Sequence, residues 1–131
     1  MGAWDSGPFD NDTAIDLLRE LESGAMMDIL AACVTLAEGA YIDDEEGSRA
    51  LAAAELIATA KDEQIDSLQE PALAVVSKLP RPPPPDLLAL ARAAVERVLQ
   101  SSETRELRAE LPKAKFQSWV TKTELLLKRL C

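Results

Sequence analysis

The chain has 131 residues, 47% of them apolar and 28% charged, which is typical of one globular domain and not of a disordered chain. Its formal net charge is −9, and it contains two cysteines and no histidine. The absence of histidine excludes serine–histidine and cysteine–histidine nucleophile systems, so we expect a protein that is not an enzyme and holds no cofactor.

The chain opens with aromatic residues before a first helix can begin. Phe9 lies one position before Asp10, which is a suitable N-cap residue for the helix that follows. This spacing is typical of a hydrophobic staple, in which Phe9 packs over Ala14. Trp4 would then fold back over the helices and bury its ring. We therefore expect a structural leader packed on the core, formed by Trp4, Gly7, Pro8, Phe9, Asn11 and Asp12.

Helical signals follow along the rest of the chain, because alanine and leucine dominate and alternating β-branched runs are missing. The predicted helices span about residues 12–22, 25–38, 45–61, 70–78, 86–100, 103–110 and 112–130. Asp43 or Asp44 is the expected cap of the third helix. Short connections favour antiparallel neighbours. We expect an all-α protein: a single compact bundle of six to seven helices over residues 1–131, with the leader packed on it.

The second predicted helix is apolar around nearly its whole circumference, which predicts a central core helix. Asp28 and Thr35 are exceptions, and a buried carboxylate is costly unless it is paired. Either this polar stripe reaches the surface, or Asp28 meets Arg49, or Asp28 and Thr35 line a pocket. The third helix is alanine-rich instead, which would let a neighbouring helix approach closely.

A proline-rich run, PRPPPPD, separates the fourth and fifth predicted helices at residues 80–86. Five prolines within six positions predict a stiff polyproline II connector. The run also holds two overlapping P-x-x-P frames, so a ligand for an aromatic groove is the functional alternative. Upstream of it, Pro71 is the expected first residue of the fourth helix.

Charge is divided unequally along the chain. Residues 1–70 contain 17 acids and 3 bases, whereas residues 71–131 contain 6 acids and 11 bases. The acidic half disfavours nucleic acid as a partner. It either neutralises the basic half by packing or presents an acidic surface to a basic protein. The candidate partner-binding residues are the densest acids expected to face water: Asp43, Asp44, Glu45, Glu46, Asp62, Glu63 and Asp66.

Carboxylates also cluster where helices begin, at residues 10–16 and 43–46. Such oxygens can hold calcium or magnesium. The spacing does not match the twelve-residue calcium loop, because Ile15 and Leu21 occupy its glycine and terminal glutamate positions. Helix capping accounts for both clusters, so no metal site is predicted. The alternative function is a small-molecule or divalent-metal-binding protein that uses these carboxylates.

The expected compartment is the cytoplasm. No apolar run reaches the roughly 18–20 residues that a bilayer span needs, and the opening segment lacks the basic group of a secretory signal. Cys33 lies in an apolar run and Cys131 is the last residue, which is not the spacing of a disulfide framework. These features favour a reducing environment without a membrane partner.

The opening segment MGAWDSGPFDNDTAIDLL resembles that of a bacterial group, the domain of unknown function 4259 family. The matching positions are Gly2, Trp4, Gly7, Phe9, Asn11, Asp12, Ala14 and Asp16. The alanine-rich third helix, the ARAAVERVL segment and the SETRELRAEL segment are similar too, so the resemblance covers most of the chain. Asp5 stands where the family usually has glycine. The resemblance implies a compact helical bacterial protein and implies no activity.

The charge pattern leads to one functional hypothesis. A small, rigid, acidic scaffold speeds association with basic partners. We expect a non-enzymatic interaction protein of the bacterial cytosol. In its most concrete form it is an immunity-type protein whose acidic face blocks a basic, nucleic-acid-cutting toxin.

Overall fold

Residues 12–36, 41–62 and 72–131 are described by the structure, a computed structural model. Most of these residues form α-helices, and none of them lies in a strand. The helices are α1 (Asp12–Ser23), α2 (Met26–Val34), α3 (Asp44–Asp62), α4 (Ala72–Ser77), α5 (Pro85–Gln100), α6 (Glu103–Ala109) and α7 (Lys113–Leu130). The predicted all-α bundle is confirmed. No helix in these three ranges has both the length and the apolar character that crossing a membrane requires.

The centre of the bundle is α3, which contacts all six other helices. Twelve of its 19 residues are buried, and seven of those twelve are alanine or glycine. The small side chains of α3 let its neighbours approach the helix axis closely, so the helix is buried on most sides with only three large apolar residues, Leu51, Leu56 and Ile57.

The prediction that the second helix forms the centre is wrong. α2 ends at Val34, where Thr35 takes an extended backbone, so it is shorter than the predicted 25–38. The fully buried residues of α2 are Leu30, Cys33 and Val34, whereas its other core-facing residues are only partly buried. Asp28 and Thr35 are exposed, which confirms that their stripe reaches the surface and excludes the buried pocket. Because α3 already fills the centre, α2 needs to bury only one face.

Each of the longer helices α1, α5 and α7 buries one apolar face in the core. α1 buries Ala14, Leu17, Leu18 and Leu21. α5 buries Leu87, Ala91, Ala94, Val95 and Val98. α7 buries Trp119, Leu126 and Leu130 together with Thr123. In α6 the usual burial of apolar residues is reversed: Leu107 is exposed, whereas the polar residues Thr104 and Arg108 are buried.

The proline-rich connector is bent at its start, so the prediction of a stiff polyproline II connector over the whole run is wrong. The chain bends at Arg81 and Pro82 and does not continue as an extended polyproline II helix there. The peptide bond between these two residues is cis. Pro84 has polyproline-like angles (φ −58°, ψ 141°) and is the N-cap of α5. Pro85 is the first helical residue, where a missing N–H breaks no helical hydrogen bond.

Several predicted features lie outside the described residues. They are the leader positions Trp4, Gly7, Pro8, Phe9 and Asn11, the predicted cap Asp10, the acids Glu63 and Asp66, and Pro71. The packing of the leader on the core therefore stays a prediction. Asp12, the last leader residue, is the exposed first residue of α1.

Candidate functional site

A reciprocal capping box begins α3. The Asp43 carboxylate accepts a hydrogen bond from the Glu46 backbone N–H at 2.8 Å. The Glu46 carboxylate accepts one from the Asp43 backbone N–H at 3.5 Å. Together they satisfy two N–H groups that a helix leaves unpaired at its start. Asp43 is thus the cap, as one of the two predicted alternatives requires, and both side chains stay exposed.

The start of α3 is joined to the start of α6. Glu103 Oε1 accepts a hydrogen bond from the Asp44 backbone N–H at 2.8 Å, across 59 positions of sequence. The Glu103 backbone N–H donates to the Ile42 carbonyl at 2.9 Å. The Thr104 hydroxyl donates to the Asp44 carbonyl at 3.4 Å. We call this region, residues 41–48 with residues 102–107, the α3–α6 junction.

Gly47 permits the close approach of the two helices. A Cβ atom at this position would overlap the Thr104 hydroxyl oxygen and lie 3.1 Å from the Thr104 Cβ. Next to it, the buried Ser48 hydroxyl donates to the half-buried Asp44 carboxylate at 3.4 Å. The junction is therefore packed by small residues, and each of the three hydrogen bonds that join α3 to α6 involves at least one main-chain group.

Tyr41 lies at the surface of the α3–α6 junction, with 61% of the residue exposed. Its hydroxyl donates to Glu106 Oε1 at 3.2 Å. Partial desolvation of the hydroxyl, the negative charge of Glu106 and this hydrogen bond raise the pKa of the Tyr41 phenol, and the charges of Glu103 and Asp43 add to the effect. The phenol is therefore an uncharged donor at neutral pH, under the influence of two carboxylates of α6 and of the Asp43 cap that precedes α3.

Asp62 lies at the opposite end of α3 from residues 43–46. The helix has 19 residues, which separates its two ends by roughly 27 Å at 1.5 Å per residue. Asp62 accepts a hydrogen bond from Arg129 Nε at 2.7 Å, and Glu55 accepts one from Arg129 Nη1 at 2.7 Å. The structure thus places Asp62 in a half-buried ion pair, whereas Glu45 and Glu46 are exposed and Asp44 is half-buried.

Lys61 completes this second cluster. Its ammonium group donates to the carbonyls of Arg129 at 3.0 Å and Cys131 at 2.9 Å. A cation at the carbonyl end of a helix is favourable, because those carbonyls lack helical partners. The end of α3 therefore holds the end of α7. Nothing in the local sequence predicts this contact, since its partners lie 67 to 74 positions apart.

Arg49 pairs with Glu20 of α1 and not with Asp28. Its two terminal nitrogens each lie 3.0 Å from a Glu20 carboxylate oxygen, and Nη2 is 3.6 Å from the Cys33 Sγ. The hydrogen bond from Arg49 lowers the pKa of Glu20. Burial raises the pKa of Cys33, and Arg49 only partly opposes this. The alternative in which Asp28 meets Arg49 is wrong, because Asp28 is exposed to water and Arg49 is bound to Glu20.

The carboxylates at the start of α1 do not converge. Asp12 is exposed, and Asp16 pairs with Arg19 at 3.8 Å on a largely exposed surface. Within residues 12–36, 41–62 and 72–131, no three His, Cys, Asp or Glu side chains lie in positions to hold a metal ion together.

We expect calcium, magnesium and a chelator, each at millimolar concentration, to leave the Tm unchanged. An ion that binds only the native state must raise the Tm, and the rise continues with the logarithm of its concentration above the Kd. The measurement is thermal unfolding followed by circular dichroism, with potassium chloride of equal ionic strength as the control. A rise of this form with one divalent ion would support the metal-binding alternative instead.

Comparison with known proteins gives one match. The family model described as Domain of unknown function (DUF4259) matches residues 2–122. Neither a search of curated proteins nor a search of solved structures finds a match. The matched range includes the opening segment, α1 to α6 and the first part of α7. The chain therefore belongs to the DUF4259 family.

Proposed function

We propose that this protein is a non-enzymatic interaction protein that binds a basic protein partner through an acidic surface. The proposal rests on the excess of acidic over basic residues in the first half of the chain. The described residues between 12 and 62 contain eleven acids and three bases. All three bases have partners within the chain: Arg19 with Asp16, Arg49 with Glu20, and Lys61 with two carbonyls of α7.

The acidic surface is centred on the first turn of α3. Glu45 and Glu46 are exposed there, one helical turn before Arg49. Glu20 of α1 is bound to Arg49, so its charge is offset and the surface depends on Glu45 and Glu46. The Asp62 end of α3 supports the proposal less, because its carboxylates are bound to Arg129.

Such a surface favours fast association with a basic protein. Charges of one sign on a rigid scaffold steer an oppositely charged partner and raise the association rate more than the affinity. In its most concrete form, the proposal is an immunity-type protein of the cytoplasm, and the partner is a toxin that cuts nucleic acid. The substrate site of such a toxin must be basic to bind phosphates, so an acidic protein can cover it.

The test begins with affinity capture from the native host, followed by binding kinetics with the captured partner at several salt concentrations. We expect the association rate to fall steeply toward physiological salt, where the Debye length is about 8 Å. The double variant E45Q/E46Q should lower the association rate by about three- to tenfold at low salt and change the dissociation rate less. Glutamine at position 46 can keep the capping box, so the fold should be unaffected.

The matched control is E110Q/E124Q, which removes two exposed carboxylates from the basic half of the chain. This variant should bind with the kinetics of the wild type. A partner that binds without salt dependence, or whose contacts map only to α5–α7, would contradict the proposal.

A further inference from the structure

Two large apolar side chains are exposed at the α3–α6 junction. The exposed large apolar residues of the described ranges are Ile15, Tyr41, Leu90, Leu107 and Leu125. Tyr41 is the most exposed of them at 61%. Leu107 is 45% exposed and directly follows Glu106, the residue that accepts the hydrogen bond from Tyr41. The other three lie on α1, α5 and α7. An exposed aromatic and an exposed aliphatic residue thus both belong to the α3–α6 junction.

Tyr41 is held in place by its neighbours. Its hydroxyl is bound to Glu106, and the next residue, Ile42, is buried with its carbonyl bound to the Glu103 N–H. A side chain fixed in this way loses little conformational entropy when a partner covers it. Tyrosine is also among the residues that contribute most to binding at protein interfaces.

The charges around Tyr41 favour a particular contact. Glu106, Glu103 and Asp43 all act on the Tyr41 phenol electrostatically. A guanidinium group over the tyrosine ring is attracted by the ring face. The same group can donate two parallel hydrogen bonds to a neighbouring carboxylate, which an ammonium group cannot do.

We infer that Tyr41 and Leu107 anchor the partner-binding surface, and that this surface takes an arginine-bearing segment of a basic protein. This inference rests on the proposed function and adds to it the position of the contact and the residue type of the partner. The arginine side chain lies over the Tyr41 ring, its guanidinium binds Glu106 or Asp43, and an apolar neighbour in the partner covers Leu107.

The chain offers a direct probe, because Tyr41 is its one tyrosine. The full-length protein, labelled with 3-fluorotyrosine, gives a single ¹⁹F resonance that reports on this position. The probe ligand is a nona-arginine peptide, and nona-lysine and nona-glutamate are the controls. We expect a saturable ¹⁹F shift with nona-arginine, a weaker effect with nona-lysine and none with nona-glutamate.

Substitutions then test the contribution of each side chain. For Tyr41 the measured quantity is the affinity for labelled nona-arginine, obtained by fluorescence anisotropy, and for Leu107 it is the affinity for the native partner. Tyr41→Ala should weaken binding by about fivefold or more, and Tyr41→Phe should keep most of it, since the ring face is retained. Leu107→Ala should weaken binding of the native partner, whereas Leu125→Ala, a matched exposed leucine on α7, should not.

Two results would overturn the inference. One is binding of nona-arginine that leaves the ¹⁹F resonance unchanged, and the other is no binding of nona-arginine at low salt. The proposed function fails separately, when the native partner binds without salt dependence. A native partner weakened by E45Q/E46Q but unaffected by Tyr41→Ala and Leu107→Ala would keep the proposed function and overturn only the inference.

Discussion

Replacing Gly47 with alanine is expected to lower the free energy of unfolding by about 1–3 kcal/mol, which is the usual effect of adding a methyl group to a fully packed site. The new Cβ would overlap the Thr104 hydroxyl and push α6 away from α3. At an open helical position the same change raises stability by about 0.5–1 kcal/mol, because glycine is a poor helix former. The sign of the effect, measured by urea unfolding, therefore tests the close approach.

The control is the double variant G47A/T104A. Thr104→Ala removes the hydroxyl oxygen that the new Cβ would overlap, so Gly47→Ala should cost less in that background. The two substitutions should be non-additive, as expected for residues in contact. Additive effects would mean that α3 and α6 are farther apart at this point than the structure places them.

Replacing Trp4 or Phe9 with alanine is expected to lower the free energy of unfolding by about 3–5 kcal/mol in each case. The reason is the predicted packing of the leader, in which both rings are buried against the helices. The measurement is chemical unfolding of each variant. Trp119→Ala is the positive control, because that ring is 2% exposed in the core.

Fluorescence gives independent evidence on the leader. The chain has two tryptophans, so the Trp119→Phe variant leaves Trp4 as the only one. A buried Trp4 should emit at short wavelength and shift to longer wavelength on unfolding. If the Trp4 and Phe9 variants melt within a degree or two of the wild type, the leader does not pack on the core.

The helices themselves could be predicted because periodic apolar residues decide which helix face is buried. The stripe of α1 and the start of α5 at its proline run follow from local sequence alone. Which of the two helices α2 and α3 occupies the centre of the bundle could not be predicted in this way. Apolar residues around α2 suggest burial all round, yet α3 occupies the centre, since close packing depends on small side chains as much as on hydrophobicity.

The candidate site could be predicted only in part, for a related reason. The cap at Asp43 is a local interaction, and local spacing is enough to find it. The choice of Glu20 over Asp28 as the partner of Arg49 depends on how α1 lies against α3. The binding of Asp62 to Arg129 depends on where α7 ends. Contacts of this kind are set by tertiary packing, which single-sequence patterns do not encode.

The reaction rates of the two thiols of the chain can be used to measure local opening of the fold. Cys131 is exposed and should react with a thiol reagent at the rate of an accessible cysteine. Cys33 is buried between helices, and its raised pKa leaves little reactive thiolate. The second equivalent of reagent is therefore consumed only when α2 separates from its neighbours, so its rate measures how often that part of the protein opens while the rest stays folded.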